Sequence, residues 1–351
     1  MTGRRLATGW RPAAFLVAAV LAAGAVACGS EPDRTLNPDP PARYAPLKHV
    51  LPEARLAVDP DSEAARWQRQ TGTDWLDPIA GAPQARWVNS PQDVATLPDY
   101  LTAARQQGAV PVVVAYWIVD RGCSRHREGA PSAADYDRWI GDLARVLTGT
   151  RAAIILEPDA VPADCFDATR AKLLARSARR LSATGQAVYL DAGHARWKPT
   201  GETADRLLAA GIADAEGFSV NVANRQTTKD SIAWGRELSD LVGDRPFVVD
   251  VSRNGIGPPP DHPGRDDEWC NPDHQALGAR PTTRTGKPGV DALLWVKRPG
   301  ESDGLCGGEK SYFFSPRQAK ALIARSPMLP AGARGAAAAA DAPAADTKPS
   351  S

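Results

Sequence analysis

Seven acidic residues stand at or just beyond the ends of apolar, β-rich runs, where they can move protons. Asp120 follows Val110–Ile118, and Glu157 and Asp159 follow Ile154-Ile155-Leu156. Asp191 follows Val188-Tyr189-Leu190, and Asp250 follows Phe247-Val248-Val249. Glu301 and Asp303 lie past Asp291–Val296, reached through Lys297. In a parallel α/β fold such strand ends share one rim, and chemistry sits there. A lone Asp at such a place reads best as a helix cap. Acids at five strand ends read as a cleft. Crowded like charges repel, which keeps one carboxyl protonated beside an ionised neighbour. That pair suits glycosidic bond hydrolysis, which needs an acid for the leaving oxygen and a second carboxylate for water.

Aromatic residues accompany the acids. Trp87, Tyr116, Trp197, Trp269 and Trp295 fall in or just after the same runs. Trp197 and Trp269 lie in polar loops containing Pro and Gly, where an indole is poor core filling. A flat apolar face beside hydrogen-bonding groups fits a sugar ring. Trp67, Trp139 and Trp234 read as helix core, and Trp295 as barrel interior. Other hydrolytic chemistries find little footing. No Gly-x-Ser-x-Gly elbow occurs to support a serine hydrolase built on His194. The Asp266-Asp267-Glu268 run reads as a solvated loop rather than a metal site.

These residues need seven strands to hold them: Ala85–Asn89, Val110–Ile118, Ala152–Glu157, Ala187–Leu190, Gly217–Val222, Pro246–Val251 and Asp291–Val296. Val110–Tyr116 is apolar almost throughout, as a strand covered on both faces must be. Helical stretches alternate with the strands, among them Ala133–Leu147, Phe166–Ala183, Glu202–Leu208 and Lys229–Leu241. Ser132 and Thr228 read as helix N-caps. The pattern predicts a (β/α) barrel one strand short of eight, or an open doubly wound sheet. No glycine-rich phosphate loop follows any strand, which weakens the nucleotide-binding form of the open sheet.

Length and charge agree with this reading. The chain has 351 residues, 43% of them hydrophobic, and a formal net charge of +1. No basic excess exists to neutralise phosphates, so nucleic acid is not an expected partner. With 5 His and 5 Cys, a multi-His metal site and a dense disulfide scaffold are both disfavoured. Residues 1–27 carry Arg4, Arg5 and Arg11, no acid, and an apolar run too short to span a bilayer comfortably, the shape of an export signal. Ala25-Val26-Ala27-Cys28-Gly29 resembles a bacterial lipoprotein cleavage site, which would lipidate Cys28 and hold the chain at the outer face of the membrane. Simple secretion is the alternative. Residues 28–47 read as a Pro-rich linker, 48–328 as one catalytic domain and 329–351 as a disordered Ala-rich tail. The domain keeps Cys123, Cys165, Cys270 and Cys306, enough for two disulfides in an exported chain. Three pairings exist; Cys123–Cys165 and Cys270–Cys306 join neighbouring segments and are favoured. Nothing demands a partner protein, and a monomer is expected.

From about Val58 to Ala324 the chain resembles glycoside hydrolase family 6, the endoglucanases and cellobiohydrolases of β-1,4-glucan. The likeness is carried in order by Ile154–Asp159, Val188–His194, Asn221–Asn224, Asp250–Gly255, Trp269–Pro272 and Leu294–Gly304. It implies a distorted seven-stranded barrel and an inverting mechanism without metal or cofactor. It also implies that Asp159 is the general acid and Asp303 the aspartate usually proposed as base. Lys297 and Glu301 match sugar contacts beside the scissile bond. Trp87, Trp197 and Trp269 match stacking platforms, and Tyr116 the residue beneath the distorted sugar. His194, Asn221 and Asn224 match hydroxyl contacts, and the family's disulfides match the favoured pairing. One departure is sensitive. The family's Arg-Asp-Cys triplet is Arg121-Gly122-Cys123 here, without the aspartate that keeps the acid protonated. That loss predicts a lowered pKa for Asp159, with Asp120 and Asp191 as candidate supporting acids. Arg225 stands where the family usually has Tyr. The expected activity is an endo-acting β-1,4-glucanase with an open groove; the alternative is a catalytically impaired surface carbohydrate-binding protein on the same barrel.

Overall fold

Every second residue of the apolar runs faces one way, and both faces are covered. In a computed structural model, residues 50–123, 129–258, 270–306, 309 and 313–340 are described. Seven strands pair in chain order: β1 (Arg86–Val88), β2 (Val112–Ala115), β3 (Ala153–Leu156), β4 (Ala187–Asp191), β5 (Gly217–Val220), β6 (Phe247–Asp250) and β7 (Val290–Leu294). All six ladders are parallel. Around them lie helices α1 (Glu63–Thr71), α2 (Asp77–Ala80), α3 (Pro91–Gln106), α4 (Ala133–Leu147), α5 (Ala168–Ala183), α6 (Thr200–Ala209), α7 (Thr228–Leu241), α8 (Pro316–Ala324) and α9 (Ala331–Ala339).

The sheet curls into a distorted barrel. Val114, Ile155, Tyr189, Val248 and Leu294 belong to an inner cluster, while Val113, Ile154, Leu190, Phe218 and Val249 pack against the helices. That alternation is the period of two along a strand. Small inner residues, Ala153, Ala187 and Ala292, leave room at the axis. At the seam beside β1 and β7, the Ala85 amide donates to the Trp295 carbonyl at 3.0 Å, and the Trp87 indole to the Val296 carbonyl at 2.8 Å. Trp295 itself differs from expectation. It packs in the helix-facing layer, because Leu294 and Val296 take the inward register.

Side-chain caps start the helices whose strands feed the rim. Ser90, Ser132 and Thr227 each accept from the amide of an Asp three residues on. The α7 cap is therefore Thr227, not Thr228, a shift of one residue.

The expected disordered tail is partly helical. Within 329–351, α9 packs on α8; Ala337 is fully buried, and Leu329 lies against the core. Apolar periodicity fails to mark this helix because alanine forms helices without it and its small side chain packs closely. A chain ending at residue 328 is predicted to lose about 1 kcal/mol, or a few degrees in Tm, relative to one ending at residue 340. Equal melting temperatures would show that α9 adds nothing.

Candidate active site

Three of the strand-end acids hold the rim together. Asp250 is fully buried and accepts from four backbone amides: Ala223 (2.9 Å), Ser252 (2.9 Å), Val296 (3.2 Å) and Lys297 (3.0 Å). It thus ties the loops after β5, β6 and β7 to one carboxylate. Glu157, also fully buried, accepts from the amides of Trp117 and Ile118, both at 3.0 Å. Burial pushes its carboxyl up to about 7, against those two hydrogen bonds. Asp191 accepts from Ser219 Oγ at 2.9 Å and from the Asp159 amide at 2.8 Å. Several residues here hold left-handed backbone: Glu157, Asp159, Asn221, Ala223 and Asn271 have φ of 50°, 70°, 67°, 53° and 46°. Such strain persists only where surrounding bonds over-determine the loop, as these acids do.

Asp159 is the acid this frame delivers to the cleft, half-buried at the end of β3. Burial pushes its carboxyl up to about 6. The Tyr116 hydroxyl and Arg121 pull it down, and the charge of Asp303 pushes it up again. Burial keeps the carboxyl above its ordinary value even with Gly122 in place of an acidic neighbour. Asp191 is the nearby second acid. Burial first, and then the Asp159 charge, push it up to about 7. The Asp120 carboxylate acts on Arg170, whose guanidinium donates to the Asp120 carbonyl at 2.8 Å.

Asp303 is the opposite case. Its side chain is only 6% exposed and meets Arg253 at 2.8 Å, Lys297 at 3.3 Å and Arg225 at 3.4 Å. The Asn271 amide also donates to it, at 3.1 Å. Burial alone would raise its carboxyl, but Arg253, Lys297 and Arg225 overcome burial and hold it well below the usual carboxylate range. Glu301 is bound by Arg298 through Nε at 3.0 Å and lies 3.7 Å from Lys297. Those two cations outweigh its burial and lower it as well.

The aromatic lining forms two groups. Trp87 stands edge-on to Tyr116, with ring centres 5.3 Å apart, and Arg121 lies over the Tyr116 ring at 4.4 Å. Trp197 is 38% exposed and lies against His194 at 5.6 Å. Gly193 permits that approach: a Cβ there would meet Pro162 at 2.9 Å and Trp197 at 3.1 Å. Burial, and then Arg196, lower the His194 imidazole to about 4, so it is neutral at pH 7. Asn224 is half-buried, its side-chain oxygen accepting from the Arg225 amide at 2.7 Å.

Asn221 is not placed for a sugar. It is fully buried, donates to the carbonyls of Asp250 (2.9 Å) and Gln226 (3.2 Å), and accepts from the Gln226 amide at 3.0 Å. Its polar atoms serve the loop instead. Trp269, the Asp266–Glu268 run and Cys28 lie outside the described residues. Cys123–Cys165 and Cys270–Cys306 are disulfides, with Cα separations of 5.4 and 6.0 Å. They fasten the loop bearing Gly122 and the loop bearing Asp303. Sequence reasoning gave no role to Arg253, Asn271 or Arg121. The one signal for Arg253 and Asn271 was that each stands inside a motif quoted for its neighbours.

Asp250→Asn is predicted to destabilise the chain by about 2–4 kcal/mol, because an amide nitrogen would face backbone donors in a dry site. Denaturant unfolding checks it; a loss below about 0.5 kcal/mol would remove Asp250 from its bracing role.

The sequence model described as Glycosyl hydrolases family 6 matches residues 49–334. Endoglucanase A of Cellulomonas fimi is 41% identical over 267 residues, covering 73% of this chain and 58% of that protein. Endoglucanase 1 of Streptomyces halstedii is 37% identical over 292 residues, covering 76% and 87%. This chain therefore spans little more than half the length of the Cellulomonas relative. Among solved structures, the endoglucanase Cel6 of Mycobacterium tuberculosis, in complex with methyl-cellobiosyl-4-deoxy-4-thio-β-D-cellobioside, has a TM-score of 0.71 at 38% identity. That likeness covers 78% of this chain and 98% of the other. A family match across most of the chain, on a barrel of the same kind, makes this protein a member of glycosyl hydrolase family 6.

Proposed function

We propose that this protein hydrolyses β-1,4-glucosidic bonds of cellulose or soluble β-glucan, within the chain and with inversion. The observation that carries the reading is the contrast between two carboxyls. Asp159 is pushed up to about 6, while Asp303 is clamped by three cations and stays ionised. Environments that push two acids apart in this way assign one as proton donor and the other as permanent anion. The endoglucanase names of the relatives, and the cellobioside ligand of the mycobacterial structure, support the substrate class.

Protonated Asp159 donates its proton to the glycosidic oxygen as the bond to the anomeric carbon breaks. Water adds to that carbon from the opposite face. Its surplus proton leaves toward the Asp303 side and returns through solvent to Asp159. The fixed charge of Asp303 stabilises the positive charge that develops on the sugar. Trp87 and Tyr116 offer faces and edges for the ring, and Lys297 and Glu301 offer a donor and an acceptor to its hydroxyls. We also propose export through residues 1–27 and anchoring at Cys28. Cys28→Ala should abolish incorporation of labelled fatty acid; retained label would place the lipid elsewhere or nowhere.

The raised carboxyl sets the pH dependence. Asp159 is protonated below about 6, so kcat should fall as pH rises through that value. Cellohexaose turnover between pH 4 and 8 reads this directly, and the first-formed anomer, followed by NMR, should be α. Asp159→Asn should cost roughly 10²–10⁴-fold in kcat with oligosaccharide binding kept. Wild-type rates in that variant, or a β-anomeric product, would overturn the mechanism.

A further inference from the structure

Asp303 sits in a closed circuit of buried polar groups that starts and ends at its own carboxylate. Arg225, after β5, donates through Nη2 to Asp303 Oδ2 at 3.4 Å and to Gln275 Oε1 at 3.5 Å. Gln275 donates through Nε2 to Gln318 Oε1 at 3.4 Å, and Gln318 through Nε2 to Asn271 Oδ1 at 2.7 Å. Asn271 Oδ1 accepts from the Asp303 amide at 2.7 Å, while the Asn271 amide donates to Asp303 Oδ2 at 3.1 Å. Gln275, Gln318 and Asn271 are 2%, 4% and 2% exposed, so water does not mediate easily among them.

The direction of each bond follows from Arg225. A guanidinium has no acceptor, so it compels Gln275 to present its oxygen. The Gln275 amide nitrogen must then face Gln318, which presents its oxygen in turn. Gln318 has only its nitrogen left for Asn271, and the Asn271 side-chain oxygen becomes an acceptor. The Asn271 nitrogen turns to the Gly304 carbonyl at 2.9 Å and to Ser302 Oγ at 3.1 Å. Reversing one amide would set donor against donor somewhere in the ring, which is costly in a buried site.

We propose that Arg225 is a positioning residue for the glucan hydrolysis proposed above: it fixes Asp303 as an ionised, acceptor-only carboxylate by a direct ion pair and by orienting the Gln275–Gln318–Asn271 amides. Among the described residues, the charged groups facing Asp303 come from four loops. Arg225 comes from the loop after β5, Arg253 from that after β6, and Lys297 and Glu301 from that after β7. Asp159 faces it from the loop after β3. Arg253 and Lys297 contribute charge but do not enter the amide circuit. Arg225 contributes to both. Without it, two cations remain against the burial of Asp303 and the charges of Asp159 and Glu301, and the carboxyl moves toward the neutral form.

The test is the acid limb of the rate profile. In Arg225→Met, the acid limb of kcat on cellohexaose should move to higher pH, each unit of displacement costing about tenfold in rate at a pH on that limb. KM should stay within about threefold. Arg225→Lys, which keeps the charge, should recover most of the loss. Gln275→Glu, which offers Arg225 a competing anion, should shift the limb the same way by less. That variant keeps the test open if Arg225→Met does not fold. A loss by the same factor at every pH, or Arg225→Lys no better than Arg225→Met, would reduce Arg225 to a structural residue and overturn the proposal. Carbon-13 titration of the Asp303 carboxyl in the same variants reads the shift without turnover. An inactive wild type with a shifted Asp303 would sink the hydrolase reading alone. An active wild type with an unshifted Asp303 would sink this one.

Discussion

Everything at the rim depends on a carboxylate being cheaper to bury beside several backbone donors than alone. An unpaired buried charge is among the most costly features of a folded chain. Asp250 avoids that cost by accepting four amides, and those amides belong to loops that would otherwise leave donors unsatisfied. Glu157 and Asp191 do the same on the other side of the cleft. The loops can then hold left-handed turns at residues that disfavour them, which sets Asp159 and Asn271 where regular strands could not. Chemistry and architecture draw on one residue type for opposite purposes. Some carboxyls are saturated so that others are left reactive.

The barrel was largely legible in the sequence. Its strands are short apolar runs buried on both faces, and all seven expected runs overlap an observed strand. Periodicity speaks directly about burial. It says little about register, which is why Trp295 was expected at the axis and lies in the outer layer. Nor does it speak for α9, where alanine hides the pattern that larger residues display.

The site was legible in its parts but not in its division of labour. Seven strand-end acids look alike in a string of letters. Burial and partners separate the braces Glu157, Asp191 and Asp250 from Asp159 and Asp303, and those partners come from loops distant in sequence. Asn221 shows the same gap. Its residue type suits a sugar hydroxyl, yet its carbonyl partners from the two loops around it consume its amide. Gly122 shows it in reverse. A missing neighbour was visible, but the burial that outweighs it belongs to the whole cleft wall.

The seam of the barrel has a mechanical consequence. Six complete ladders resist widening, whereas the described closure near β1 and β7 is one main-chain bond and one indole bond. A ring of unequal links yields at the weakest one, so compliance gathers where Trp87 hangs on the Val296 carbonyl. The same indole stands edge-on to Tyr116, whose hydroxyl reaches Asp159. Any slackening of the ring there is transmitted first to the aromatic pair beside the acid. The barrel behaves as a clasp whose pin is a side chain.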